Sequence, residues 1–162
     1  MRKEENNFAF IDNTNVHKGI GMLGWRLDLV KFRKLLSERY GVTKAYMFIG
    51  YIPGNQDMYR DFQNWGYTLI FKPTLPNKHG EIKGNCDAEL VLQAMIDLDT
   101  YDKAVIVTGD GDFQCLVKHL RKISKLAYVI SPNRQWCSIL LKREARGNHV
   151  FLEEMKSKLE RA

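Results

Sequence analysis

The feature that most restricts this chain is an alternation, in which short apolar runs of strand length are separated by segments of helical periodicity. Strands are expected over Phe8 to Asp12, Lys44 to Tyr51, Tyr67 to Lys72, Ala104 to Thr108 and Leu126 to Ile130, with His149 to Leu152 as a last edge strand. Between them, Leu27 to Leu36, Gln56 to Trp65, Asp87 to Leu98, Asp112 to Ser124 and Ser138 to Ala145 read as helices. Asp87 to Leu98 is the clearest, because Leu90, Val91, Ala94, Met95 and Leu98 fall on one helical stripe. Strands this apolar are buried on both faces, and strands linked through helices pair in parallel. The pattern therefore predicts a three-layer α/β/α domain with a mainly parallel sheet of five or six strands. At 162 residues the chain is expected to form a single domain, with a core from about 8 to 152 and a charged helix over 153–160.

Other architectures are excluded by composition. No apolar run approaches the roughly 20 residues that cross a bilayer, and the stretch after the charged N-terminus is too short for a signal-peptide core. A cytoplasmic protein is expected. Three cysteines, Cys86, Cys115 and Cys137, have no CxxC spacing and are an odd number. This argues against a disulfide framework or a zinc site and predicts small, at least partly buried side chains. Charge is uneven. From Leu116 onward there are 11 Lys or Arg against 4 Asp or Glu, whereas the preceding residues nearly balance. A basic C-terminal third suits a polyanion such as nucleic acid, or is simply a solvated face.

In open α/β sheets, ligands bind beyond the carboxyl ends of the strands, where the strand order reverses. Asp12 closes the first strand, and Thr108-Gly-Asp110-Gly-Asp112 follows the fourth. Asp87 opens a helix. If strands one and four are neighbours, these acids share one cleft. Clustered carboxylates repel one another and are held ionised by a divalent cation, and hard oxygen donors suit Mg2+ or Mn2+. Taken singly, each acid also has a structural reading. Asp12 and Asp112 could cap the helices that follow, and Asp87 could be a first-turn acid favoured by the helix dipole. No Ser-His-Asp or Cys-His arrangement is evident, since His17, His79, His119 and His149 stand in unrelated contexts.

Three segments, FIDNTN (10–15), KGNCDAELVLQAM (83–95) and VTGDGDFQCLVKHLRK (107–122), resemble in content and order the NYN domains of the PIN-like nuclease superfamily. The similarity runs from about Phe8 to Leu152. It implies a PIN-like, Rossmann-like fold and a Mg2+- or Mn2+-dependent (endo)ribonuclease acting on single-stranded or structured RNA. Asp12, Asp87, Asp110 and Asp112 would be its metal-binding and catalytic acids, with Asn15, Lys83 and Gly84 as further motif positions. One departure is Asn13, where relatives often carry glycine.

Substrate contacts are expected from Asn15, Lys83, Thr108, Lys78, Arg134 and Arg143, with Lys142 and Arg146 as further backbone-tracking cations and Trp136 as a base-stacking side chain. Trp25 and Trp65 read as core or helix-packing residues. Two other functions remain to be weighed. A non-catalytic RNA-binding or regulatory module of the same fold would keep the basic surface but lose a ligand acid, and all the acids are here. Haloacid dehalogenase-like phosphatases also use a strand-one aspartate, but need a second one two residues later, where this chain has Thr14. A dinucleotide fold is excluded because Gly19, Gly21 and Gly24 do not form GxGxxG after strand one. A homo-oligomer or protein partner is left open.

Overall fold

The structure, a computed structural model, describes residues 4–80 and 85–162. Its strands are β1 (Asn7–Asp12), β2 (Val42–Gly50), β3 (Tyr67–Lys72), β4 (Ala104–Val107), β5 (Leu126–Ser131) and β6 (His149–Phe151). They form one sheet in the order β3-β2-β1-β4-β5-β6, and every pairing is parallel. The helices are α1 (Asn13–Gly21), α2 (Leu29–Tyr40), α3 (Gln56–Asn64), α4 (Asp87–Ile96), α5 (Gln114–Lys122), α6 (Ile139–Ala145) and the short α7 (Lys156–Leu159).

Alternation of side chains along β1 builds both layers. Ala9 and Ile11 enter a core with Val16 and Ile20 of α1, Phe32 and Leu36 of α2, Phe62 of α3 and Leu159 of α7. Phe8 and Phe10 enter the opposite core with Leu90 of α4, Leu116 and Leu120 of α5 and Leu141 of α6. The chain winds outward from β1 through β2 to β3, then returns to the centre at β4 and winds the other way. The reversal point lies between β1 and β4, so the fold opens its ligand crevice beyond Asp12 and Val107.

Three stretches differ from the sequence expectation. Helix α1 has weak local signals, with three polar residues at its start and two glycines toward its end. It is held by Asp12 as its N-cap and by burial of Val16 and Ile20 one turn apart. Helix α2 starts two residues later than expected because the Asp28 carboxylate caps it, accepting from the N–H groups of Val30 (2.9 Å) and Lys31 (3.1 Å). The charged C-terminal segment is a 3-10 turn (Leu152–Met155) followed by the four residues of α7, pinned by buried Leu159 and by a bridge from Leu27 to Glu160. No helix among the described residues is long and apolar enough to cross a membrane.

Candidate metal centre

Asp12 leaves the end of β1, Asp110 follows β4 by three residues, and Asp87 is the first residue of α4. One carboxylate oxygen from each lies within 4.8 Å of the others, all three being partly buried. Like charges so close are unfavourable unless protonated or neutralised by a cation, and the donor set is all hard oxygen, which fits Mg2+ or Mn2+.

The acids are held by neighbours that come from the same strand ends. Thr108, fully buried, donates its hydroxyl to Asp12 Oδ2 at 3.0 Å and accepts the backbone N–H of Asp110 at 3.1 Å. Its own carbonyl accepts the hydroxyl of buried Ser131 at 2.7 Å. The other Asp12 oxygen accepts the N–H of Asn15 at 3.4 Å. Asn15 Oδ1 accepts the N–H of Gly109 at 2.7 Å, which ties the first turn of α1 to the exit of β4. Asp110 caps a 3-10 turn (Gly111–Phe113), its carboxylate accepting the N–H of Asp112 at 2.9 Å. Ser138 caps α6 and donates its N–H to Gly109 O at 3.0 Å, closing the turn from the far side.

Electrostatics follow from this packing. Burial pushes the Asp12 carboxyl up to about 6, opposed by its bonds from Thr108 and Asn15 and reinforced by the charges of Asp87 and Asp110. Asp87 is also raised, first by burial, then by the charges of Asp110 and Asp112. Asp112 is exposed and lies outside the three-acid group, beside Asp87.

Thr108 is sealed from solvent, so its hydroxyl positions two acids and reaches no substrate. Arg134 is exposed but paired within the chain: its Nε donates to Glu154 at 3.1 Å, its guanidinium stacks 4.3 Å over Phe151, and its N–H donates to Glu153 at 2.9 Å. Lys142 donates to the Arg134 carbonyl at 2.9 Å. Lys78 sits on an exposed turn, and Arg143 and Arg146 are exposed on or just after α6. Lys83 and Gly84 lie outside the described residues. Trp25 is buried, whereas Trp65 is exposed and packs on Phe62 with the two rings tilted at 45°. Cys86 and Cys137 are buried but Cys115 is exposed on α5, against expectation.

Sequence reasoning missed a cluster that the topology assembles. Ser131 Oγ lies 2.7 Å from His149 Nε2, with the Cys137 thiol 3.5 Å from Ser131. Burial pushes the thiol up and the imidazole down to about 4. Ser131 donates to the Thr108 carbonyl, so this group braces the exit of β4. Asn133, also missed, is buried and joins two segments, donating to Gly19 O and accepting from the Trp136 N–H, both at 2.9 Å. The Ser131-Pro132-Asn133 run at the end of β5 was the available signal, read only as a strand stop.

The NYN domain model matches residues 8–153, which takes in every element just described from β1 to β6. The chain belongs to the NYN domain family. It is 28% identical to the low amplitude and bright protein LabA of Synechococcus elongatus, over 94% of this chain and 86% of that protein. A crystal structure of a protein of unknown function from Vibrio parahaemolyticus superposes with a TM-score of 0.80 and 20% identity, over 99% of both chains, and so shares the fold. In this NYN domain the acid cluster thus lies at the point where the strand order reverses.

Proposed function

We propose that this NYN domain is a divalent-metal-dependent ribonuclease that hydrolyses RNA phosphodiester bonds within the chain. The observation that carries the proposal is the approach of the Asp12, Asp87 and Asp110 oxygens to within 4.8 Å of one another at the crevice of the sheet. These three residues would hold Mg2+ or Mn2+. When bound, such an ion offsets charge on the phosphodiester and lowers the pKa of adjacent water.

The chain's own residues divide the remaining work. Thr108 and Asn15 fix the orientation of Asp12, and the N–H of Asp112 fixes Asp110, so the carboxylates meet substrate already arranged. Asp112, exposed beside Asp87, is assigned the role of accepting the proton released by the attacking water. Lys78 and Arg143, both exposed, are assigned to the RNA backbone. In this reading the protein acts on cytoplasmic RNA.

Direct attack by water leaves 5′-phosphate and 3′-hydroxyl ends. The test is end-group mapping of RNA fragments produced by purified protein with Mn2+. The expected fragments are substrates for a 5′-phosphate-dependent exonuclease. Fragments bearing 2′,3′-cyclic phosphate would mean attack by the ribose 2′-hydroxyl and would overturn the mechanism.

A further inference from the structure

Beside the acid cluster, α1 and the β5–α6 connection enclose a cleft of about 180 Å³. It is lined by Asn15, Lys18 and Met22 on one side and by Asn133, Trp136 and Cys137 on the other. Ligand pockets for drug-sized molecules run to about 300–1,000 Å³, so this cleft suits a single planar group. Asn15 and Gly109 belong both to its wall and to the latch beside the acids, which makes it continuous with the proposed metal centre.

The cleft is built, not a gap between loose segments. A Cβ on Gly19 would stand 2.6 Å from the Pro132 ring, so only glycine lets α1 approach this closely. Asn133 then bonds across the junction to Gly19 O and fixes the Trp136 backbone. This arrangement leaves Trp136 52% and Met22 48% exposed. The cleft therefore presents an indole, a thioether and a lysine to solvent side by side. A planar, sequence-tolerant ring stacks well on an indole, and a lysine ammonium complements the phosphate attached to such a ring.

We propose that this cleft seats one unpaired nucleobase of single-stranded RNA, stacked on Trp136, with Lys18 on its phosphate, next to the bond presented to the acids. The proposal rests on the ribonuclease reading for the identity of its ligand, but binding can be measured without cleavage. A base inside a duplex is already stacked and cannot enter, so the cleft selects single strands.

The experiment is fluorescence anisotropy of a labelled uridine octamer and of a blunt RNA duplex of equal length, in EDTA, with the parent, Trp136→Ala and Trp136→Phe. Trp136→Ala should weaken octamer binding about ten-fold or more. Trp136→Phe should recover most of that loss, and duplex binding should not change among the three. An unchanged thermal midpoint would exclude misfolding, as expected for an exposed side chain. Equal octamer affinity in parent and Trp136→Ala overturns the proposal, as does equal loss on octamer and duplex or absence of octamer binding by the parent. The exposed Ile139 and Leu140 nearby make a protein partner the contrasting occupant, and octamer binding indifferent to Trp136 is the outcome that reading predicts. Trp136-dependent binding without cleavage in Mn2+ would leave the base site standing and remove the nuclease reading alone.

Discussion

The hydroxyl of Thr108 donates to Asp12 at 3.0 Å while accepting the N–H of Asp110 at 3.1 Å, so one buried side chain sets the spacing of two acids from neighbouring strands. Thr108→Val keeps the shape but removes both bonds, leaving a buried N–H and a carboxylate short of a donor. It should cost about 1–3 kcal/mol in chemical denaturation and weaken Mn2+ binding by about ten-fold or more in calorimetric titration. Thr108→Ser should retain both properties.

Without metal, Asp12 is a liability whose sign can be worked out. Its folded pKa of about 6 lies above the unfolded value of about 3.9. The folded state then binds the proton more tightly, so metal-free stability should fall as pH rises from about 4 to about 6 and level off beyond it. Asp12→Asn removes that decline. Measured by thermal unfolding at pH 7.5 in EDTA, the variant should be more stable than the parent by about 1–3 kcal/mol, which is a few degrees at this size. Adding Mn2+ should raise the parent's midpoint and leave the variant's almost unmoved.

His149 sets a second pH dependence with a different origin. Burial, followed by the charges of Lys142 and Arg134, pushes its imidazole down to about 4. The unfolded chain protonates it near 6.5, so stability should be lost as pH falls from about 6.5 to about 4, by an amount on the order of 1–3 kcal/mol. A His149→Gln variant should show a flatter profile over that window in denaturant titrations.

The internal bonds of Arg134 change which cations should matter for RNA. Arg134→Glu should destabilise the fold, because it breaks contacts to Glu154 and Phe151. Arg143→Glu, on an exposed surface, should leave stability unchanged and reduce the slope of log affinity against log salt by about 1.

Much of this was legible in the sequence because it is written in local patterns. Apolar runs located all six strands, and the acids at Asp12 and Asp110 marked the ends of the two that become central neighbours. The bare sequence left their adjacency conditional, because strand order depends on long-range pairing. Helix α1 was missed because its local propensity is poor and its stability comes from tertiary burial of Val16 and Ile20. The engagement of Arg134 and the sealing of Thr108 were hidden for a related reason. A side chain's partners come from segments distant in sequence, here Glu154 and Phe151 for one and Asp12 for the other. Lys83, whose expected role is a phosphate contact, lies outside the described residues.

The most direct measurement is the rate at which purified protein cuts a defined single-stranded RNA with Mn2+, set against the same reaction in excess EDTA and with Asp12→Asn, Asp87→Asn and Asp110→Asn. The account predicts cutting by the parent in Mn2+ only. It also predicts loss of at least a hundred-fold in each variant, with folding intact by circular dichroism and RNA binding retained. Cleavage that persists in EDTA, or an Asp12→Asn protein that cuts as fast as the parent, would contradict it.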